Sequence, residues 1–226
     1  MTQDGVGVIV ERLRLALEAE PASARLQTAM AAGLRPHDAY IDPLVERFAV
    51  EPDFFVRDML TWALIQHDRT RTLERVLPEL RSPFPQARAQ GLHTLSKLGD
   101  PRGWPAITTE LLLDAEDDVA RTAWRAAAAL VPAHEAAALA EVLATQFGRG
   151  DHATQRSLSR ALAALGAAAT PVIERGKAHG STRARAHAVA TERLVKNPDV
   201  GFDVALAAAQ RTVALHGAPL VGDLGE

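Results

Sequence analysis

VRDMLTWAL (56–64), ARAQGLHTL (87–95), VARTAWRAA (119–127) and TQRSLSRAL (154–162) are four versions of one helical stretch. They recur about every 30 to 35 residues, and each is followed by a break and a second apolar run. Set Arg57, Arg88, Ala120 and Gln155 at offset zero. Offset −1 then reads Val56, Ala87, Val119, Thr154; offset +3 reads Leu60, Gly91, Ala123, Leu158; offset +7 reads Leu64, Leu95, Ala127, Leu162. At 100° per residue these offsets gather on one side of a helix, with Leu95 near the middle of the apolar face. At +10, Leu98, Leu130 and Leu165 continue the face, while His67 is the misfit, at a helix end beside Asp68. A unit patterned this way buries its apolar side only by stacking on its neighbours. The expected fold is all-α: a right-handed α-α superhelix of the solenoid type, with about six helix pairs.

Pro and Gly punctuate the chain where helices should stop and start, at Pro83, Gly99, Pro101, Pro132, Gly148, Gly150, Gly166, Gly180 and Pro198. A first helix is expected at 6–19. Pairs follow at 22–32 with 38–50, 53–66 with 70–80, 85–98 with 103–113, 117–130 with 133–147, 152–165 with 169–178, and 182–195 with 200–214. No stretch has linker composition, so one repeat domain over 1–216 is expected, followed by a disordered tail, 217–226.

Composition narrows the class. Hydrophobic residues make up 47% of the chain and aromatics 4%, so the core must be built from Ala, Leu and Val in closely packed helices. There is no cysteine, which excludes disulfides and thiolate-bound metals. The opening segment lacks the pattern of a signal peptide, no apolar run is long enough for a membrane span, and a cytoplasmic location is expected. A net charge of −3 argues against a general nucleic-acid binder, whose affinity comes from phosphate contacts.

LSKLGDPRGWPAI (95–107), DDVARTAWRAAAAL (117–130) and PDFFVRDMLTWAL (52–64) together resemble HEAT repeats of the kind labelled phycobilisome-lyase-like. The likeness covers at least residues 52–166, and the whole chain resembles small bacterial HEAT-repeat proteins. It implies an interaction scaffold of the armadillo-type fold and an Asp/Arg ladder between repeats. The residues allow the same structural role. Asp53 with Arg57, and Asp117 with Arg121, are i,i+4 pairs at helix openings, where the acids can cap free N–H groups. Phe84 and Gln155 interrupt that ladder.

Offsets +1 and +5 point away from the core. They read Asp58/Trp62, Ala89/His93, Arg121/Arg125 and Arg156/Arg160, so the outer face passes from acid-plus-aromatic to four arginines. Such a cluster can receive an acidic partner through bidentate contacts; a solvated face balanced by Glu116, Asp118 and Asp151 is the plainer reading. On the second helices Trp104, next to Pro105, is either an aromatic anchor or a plug between units. The candidate partner-binding residues are therefore Trp62, His93, Trp104, Arg121, Arg125, Arg156 and Arg160.

Catalytic signals are poor. The eight histidines make no metal-ligand spacing, and no phosphate loop or nucleophile elbow is present. The expectation is a non-enzymatic, monomeric scaffold for a protein partner, without metal or cofactor. Two other readings stay open: a nucleic-acid-binding solenoid related to DNA alkylation repair proteins, and a phycobilisome-type lyase or chaperone.

Overall fold

The computed structural model describes residues 3–197 and 201–216. The tail expected at 217–226 lies outside the described residues. The chain divides into two compact units, Met1–Leu130 and Val131–Glu226, and no strand occurs among the described residues. The all-α, HEAT-like arrangement of stacked helix pairs is what the structure has.

In unit 1, α1 (Gln3–Leu17) precedes three alternations of a long first helix and a shorter second one. The first helices are α2 (Ala22–Leu34), α4 (Phe54–Ile65), α6 (Pro85–Leu98) and α8 (Asp117–Leu130). They stack in chain order, α2 on α4, α4 on α6 and α6 on α8. The second helices are α3 (Ile41–Glu46), with a 3₁₀ turn on each side, α5 (Arg69–Val76), followed by one, and α7 (Thr109–Leu112), preceded by one. Proline explains much of that shortening: Pro78, Pro101 and Pro105 fall in those turns, where a continuous α-helix would lose N–H donors. The four-residue α7 is the largest departure from the expected helix at 103–113.

Unit 2 holds α9 (Ala136–Ala144), α10 (His152–Ala164), α11 (Thr170–Ala178), α12 (Thr182–Lys196) and α13 (Phe202–His216). Here α10 and α12 are first helices and pack on one another, while α9 packs on α11 and α12 on α13.

The core follows the offsets. Val56, Leu60, Leu64, Ala87, Leu95, Val119, Ala123, Ala127, Leu158 and Leu162 are all buried. His67, the misfit, is buried too: its Nδ1 lies 2.8 Å from the Ala63 carbonyl, and burial pushes its pKa down. Close packing of the first helices needs small residues at particular points. A Cβ on Gly33 would lie 2.5 Å from the Trp62 ring and 2.9 Å from the Ala63 Cα, so α4 can approach α2 only because residue 33 has no side chain.

Arginine at offset zero has a structural role, and the register extends to Arg25 in α2. Each of these arginines turns its Nη1 onto the carbonyls of the loop before its own helix: Arg25 on Ala19 and Glu20, Arg57 on Glu51 and Pro52, Arg88 on Ser82 and Pro83. Arg25 also reaches Glu51, and Arg88 reaches Asp114, in both cases 26 residues on. The buried Glu51 takes Arg25, Arg47 and the Asp53 N–H together, and those donors hold its carboxyl below the usual range against the cost of burial.

The expected cap at Asp53 is present, accepting from the Val56 N–H at 3.0 Å. Asp117 instead is the first residue of α8, and Arg121 pairs with Asp118 at 3.0 Å.

Candidate functional site

A groove of about 320 Å³ opens on the outer side of unit 1, over α4, α6 and α8. Phe54, Arg57 and Asp58 from α4, Gln86 and His93 from α6, and Arg121 and Arg125 from α8 are among the residues that form it. The stacking of three first helices produces the groove. Their outward offsets fall side by side, so residues remote in sequence meet across helix boundaries.

The lining is charged but partly self-paired. Asp58 meets His93 Nε2 at 3.4 Å, one repeat apart, and Arg121 meets Asp118. His93 has its pKa pushed down, first by burial and then by the nearby Arg125, so at neutral pH it is an uncharged imidazole. Arg57, already anchored on two carbonyls, lies with its guanidinium 6.0 Å from the centre of the Phe54 ring.

Phe54 lines this groove, and it and its chain neighbour Phe55 stand 64% and 68% exposed, edge to face with centroids 5.6 Å apart. Phe84 is exposed at the start of α6, beside Pro85 of the groove wall. Three of the six phenylalanines of the chain are thus in solvent on one side of one unit, in a protein with few aromatics to spend. Isolated exposed apolar residues are ordinary; an edge-to-face aromatic pair in solvent beside a charged groove is not. The sequence reading missed these residues, although the signal was there. Offsets −3 and −2, counted at 100° per residue, place Phe54 and Phe55 on the side opposite the core.

The seven residues expected from sequence are distributed over several environments. His93, Arg121 and Arg125 come together in the groove. Trp62 does not join them, because its ring packs on Gly33 and fills the α2–α4 contact. Trp104 is half-buried in the 3₁₀ turn Pro101–Ala106 and is not among the groove residues. Arg156 and Arg160 line a separate groove in unit 2, with Leu194, Phe202 and Asp203. The four arginines therefore divide as two pairs, one in each unit.

The second helices carry a different kind of surface. Their charges interlock from repeat to repeat: Arg14 with Glu46, Asp38 with Arg71, Asp42 with Arg75, and in unit 2 Glu141 with Arg175. Arg75 also holds Glu79, and Arg69 and Arg102 converge on Asp100. Asp100 accepts the Arg102 side chain and backbone N–H as well, which lowers its pKa to about 2.

No family model and no curated protein matches the chain by sequence. Among solved structures, human deoxyhypusine hydroxylase in complex with glycerol is similar at 13% identity, with a TM-score of 0.46 over 93% of this chain and 96% of that one. The complex of CpcE and CpcF of phycocyanin lyase from Nostoc sp. PCC7120 is similar at 16% identity, with a TM-score of 0.40 over 90% of this chain and 94% of that one. The likeness is one of helix-pair architecture. It does correct one expectation from the sequence, that the chain is not an enzyme. A hydroxylase and a lyase stand among its structural neighbours, so missing motifs on a helix-pair framework do not establish a non-catalytic protein.

Proposed function

We propose that unit 1 is a docking module for a polypeptide partner, and that the groove over α4, α6 and α8 is its seat. The observation that carries this reading is the exposed Phe54–Phe55 pair, whose Phe54 lines a groove that also contains Arg121 and Arg125. A segment with an apolar side chain beside an acidic one satisfies both features: the apolar group covers the phenylalanines and the carboxylate meets Arg125.

The test is a photo-crosslinking side chain placed at Phe55 in the source cell, with a second at the exposed Glu110 on α7 as control. The reading expects one polypeptide adduct at position 55, lost on Arg125→Glu and absent from position 110. With the captured partner in hand, Phe54→Ala/Phe55→Ala should weaken binding at least about tenfold, the scale of losing an aromatic anchor. Adducts at position 110 alone, or binding unchanged by both sets of substitutions, would place the working surface elsewhere.

A further inference from the structure

The offset-zero arginines of α2, α4 and α6 share one anchor, Nη1 on the loop before the helix, and differ at the opposite edge of the guanidinium. Arg25 gives Nε and Nη2 to the two oxygens of Glu51, at 2.8 and 2.7 Å. Arg88 gives the same two nitrogens to Asp114 Oδ2, at 3.0 and 2.9 Å. On Arg57 the two contacts both use Nη1, and Nε and Nη2 have no hydrogen-bond or ion-pair partner among the described residues.

The acids come from one place in the repeat. Glu51 lies six residues before Arg57, and Asp114 six before Ala120, the offset-zero residues of the helices that follow them. Each side chain also accepts the N–H two residues on: Asp53 donates to Glu51 Oε1 at 2.9 Å, and Glu116 to Asp114 Oδ1 at 3.0 Å. The residue six before Arg88 is Ser82, and its Oγ accepts the Phe84 N–H at 3.3 Å in the same way. Ser82 therefore occupies the place of the acid and keeps its loop bond, but a hydroxyl brings no charge to the arginine of the preceding repeat. The rest of that loop supplies no acid either, since Arg81 precedes Ser82 and Pro83 and Phe84 follow it.

Arg57 is half-buried and lines the groove over α4, α6 and α8, with the centre of the Phe54 ring 6.0 Å from its guanidinium. We infer that Arg57 receives there a carboxylate of the docked segment, supplied from outside where Glu51 and Asp114 supply theirs from within the chain. The inference rests on the docking role proposed for this groove and narrows its ligand. Arg25 with Glu51 shows which group suits that edge: a planar carboxylate, taken bidentately. The Nη1 anchor already fixes the Arg57 guanidinium, which reduces the ordering cost of binding. Phe54 and Arg57 share one turn of α4, so the aspartate or glutamate of the segment lies close in sequence to the apolar side chain that covers the phenylalanines. It is distinct from any acid that meets Arg125.

The experiment restores the acid. Ser82→Asp in the full chain should raise the midpoint of urea unfolding, and should no longer do so in an Arg57→Gln background. No rise would show that Arg57 lacks the equivalent seat and would overturn the proposal. The probes are short acetylated and amidated peptides with one Glu and one Leu at varied separation, each beside a match with Gln in place of Glu. At least one Glu peptide should bind at least about tenfold more tightly than its match, the scale of a hydrogen-bonded charge. Ser82→Asp should abolish that preference, and Ser82→Asn, similar in size but uncharged, should keep it. A preference that survives Ser82→Asp would assign the carboxylate to another arginine of the groove and overturn the proposal. Glu and Gln peptides that bind equally, yet lose affinity on Phe54→Ala/Phe55→Ala, would overturn it and leave the docking reading intact. Binding of none of the peptides would overturn it as well, and the docking reading would then be decided by the adduct at position 55.

Discussion

Two pairs of stacked first helices, α4 with α6 in unit 1 and α10 with α12 in unit 2, solve the same problem with different chemistry. Between α4 and α6, Gln90 Nε2 donates to the Arg57 carbonyl at 2.8 Å and to Thr61 Oγ1 at 2.7 Å. Thr94 Oγ1 donates to the Gln90 carbonyl and therefore accepts from Thr61, at 2.9 Å. Between α10 and α12 the same places hold Ser159, His187 and Thr191. His187 Nε2 reaches the Gln155 carbonyl at 2.9 Å and Ser159 Oγ at 3.0 Å. Thr191 donates to the His187 carbonyl and meets Ser159 at 2.7 Å. Each contact has its counterpart: the carbonyl and hydroxyl–hydroxyl contacts span 33 residues in unit 1 and 32 in unit 2, and the contact of Gln90 or His187 with the hydroxyl of the preceding first helix spans 29 and 28, which makes Arg185 the offset zero of α12. The register is conserved between the units while an amide in one is replaced by an imidazole in the other.

That exchange has consequences. His187 Nδ1 accepts from the Gly148 N–H at 2.9 Å, so the proton of the neutral ring is on Nε2. The ring thereby pins the Gly148 turn to α12, at a point where a Cβ on residue 148 would lie 3.0 Å from the Ala184 nitrogen. Phe147 and Phe202 close on the ring edge to face, and burial, helped by the nearby Arg183, lowers its pKa to about 4. A second proton on His187 would point at another donor. Gln90 has no such second state.

The largest expected effects test whether the two units share one register. Leu95 and Leu162 both occupy offset +7 and are buried. Leu95→Ala and Leu162→Ala should each cost about 2–5 kcal/mol in denaturant unfolding; a negligible loss at either would break the equivalence. Offset zero sharpens the contrast. Arg25→Ala leaves the buried Glu51 with Arg47 as its remaining ion-pair partner and should cost about 3 kcal/mol. In unit 2, Gln155 stands at that place without a carboxylate, and Arg183 reaches the Gly150 carbonyl instead, so Gln155→Ala should cost about 1 kcal/mol. Equal losses would show that the arginine ladder is not what distinguishes the units. The smallest effect concerns the caps. Asp53 and Asp151 each accept from the N–H three residues on, and replacing either by Ala should cost about 1 kcal/mol, the same in both units.

The layer of first helices was legible because its signal is redundant: a 100° pattern, recurring offsets and a break after each helix. The second helices were less so, because proline converts their ends to 3₁₀ turns and the remaining α segments are too short for periodicity to declare itself. His187 could not be singled out among eight histidines without carrying the register into α12, where no offset-zero residue had been assigned. Of the candidate site, His93, Arg121 and Arg125 were found by their outward offsets, whereas Trp62 shares that offset and is spent on Gly33. Direction on a helix is periodic and can be read from a sequence; whether a neighbouring helix covers that direction depends on small residues one repeat away.

The equivalence of Gln90 and His187 is the claim on which the account turns, and a reciprocal exchange tests it directly. In the folded chain the His187 pKa is about 4 against an ordinary 6.5, so the unfolded chain takes the proton first as pH falls. Stability from this site is complete above pH 6.5, declines through the interval down to about pH 4, and totals about 3 kcal/mol. Unit 1 has lowered histidines of its own, His67 and His93, but neither occupies the place of His187. Urea unfolding should be followed from pH 7 to pH 4 for the parent chain, for His187→Gln and for Gln90→His. The account expects His187→Gln to flatten most of the acid loss and Gln90→His to add a comparable new one. An acid profile unchanged by both exchanges would contradict it.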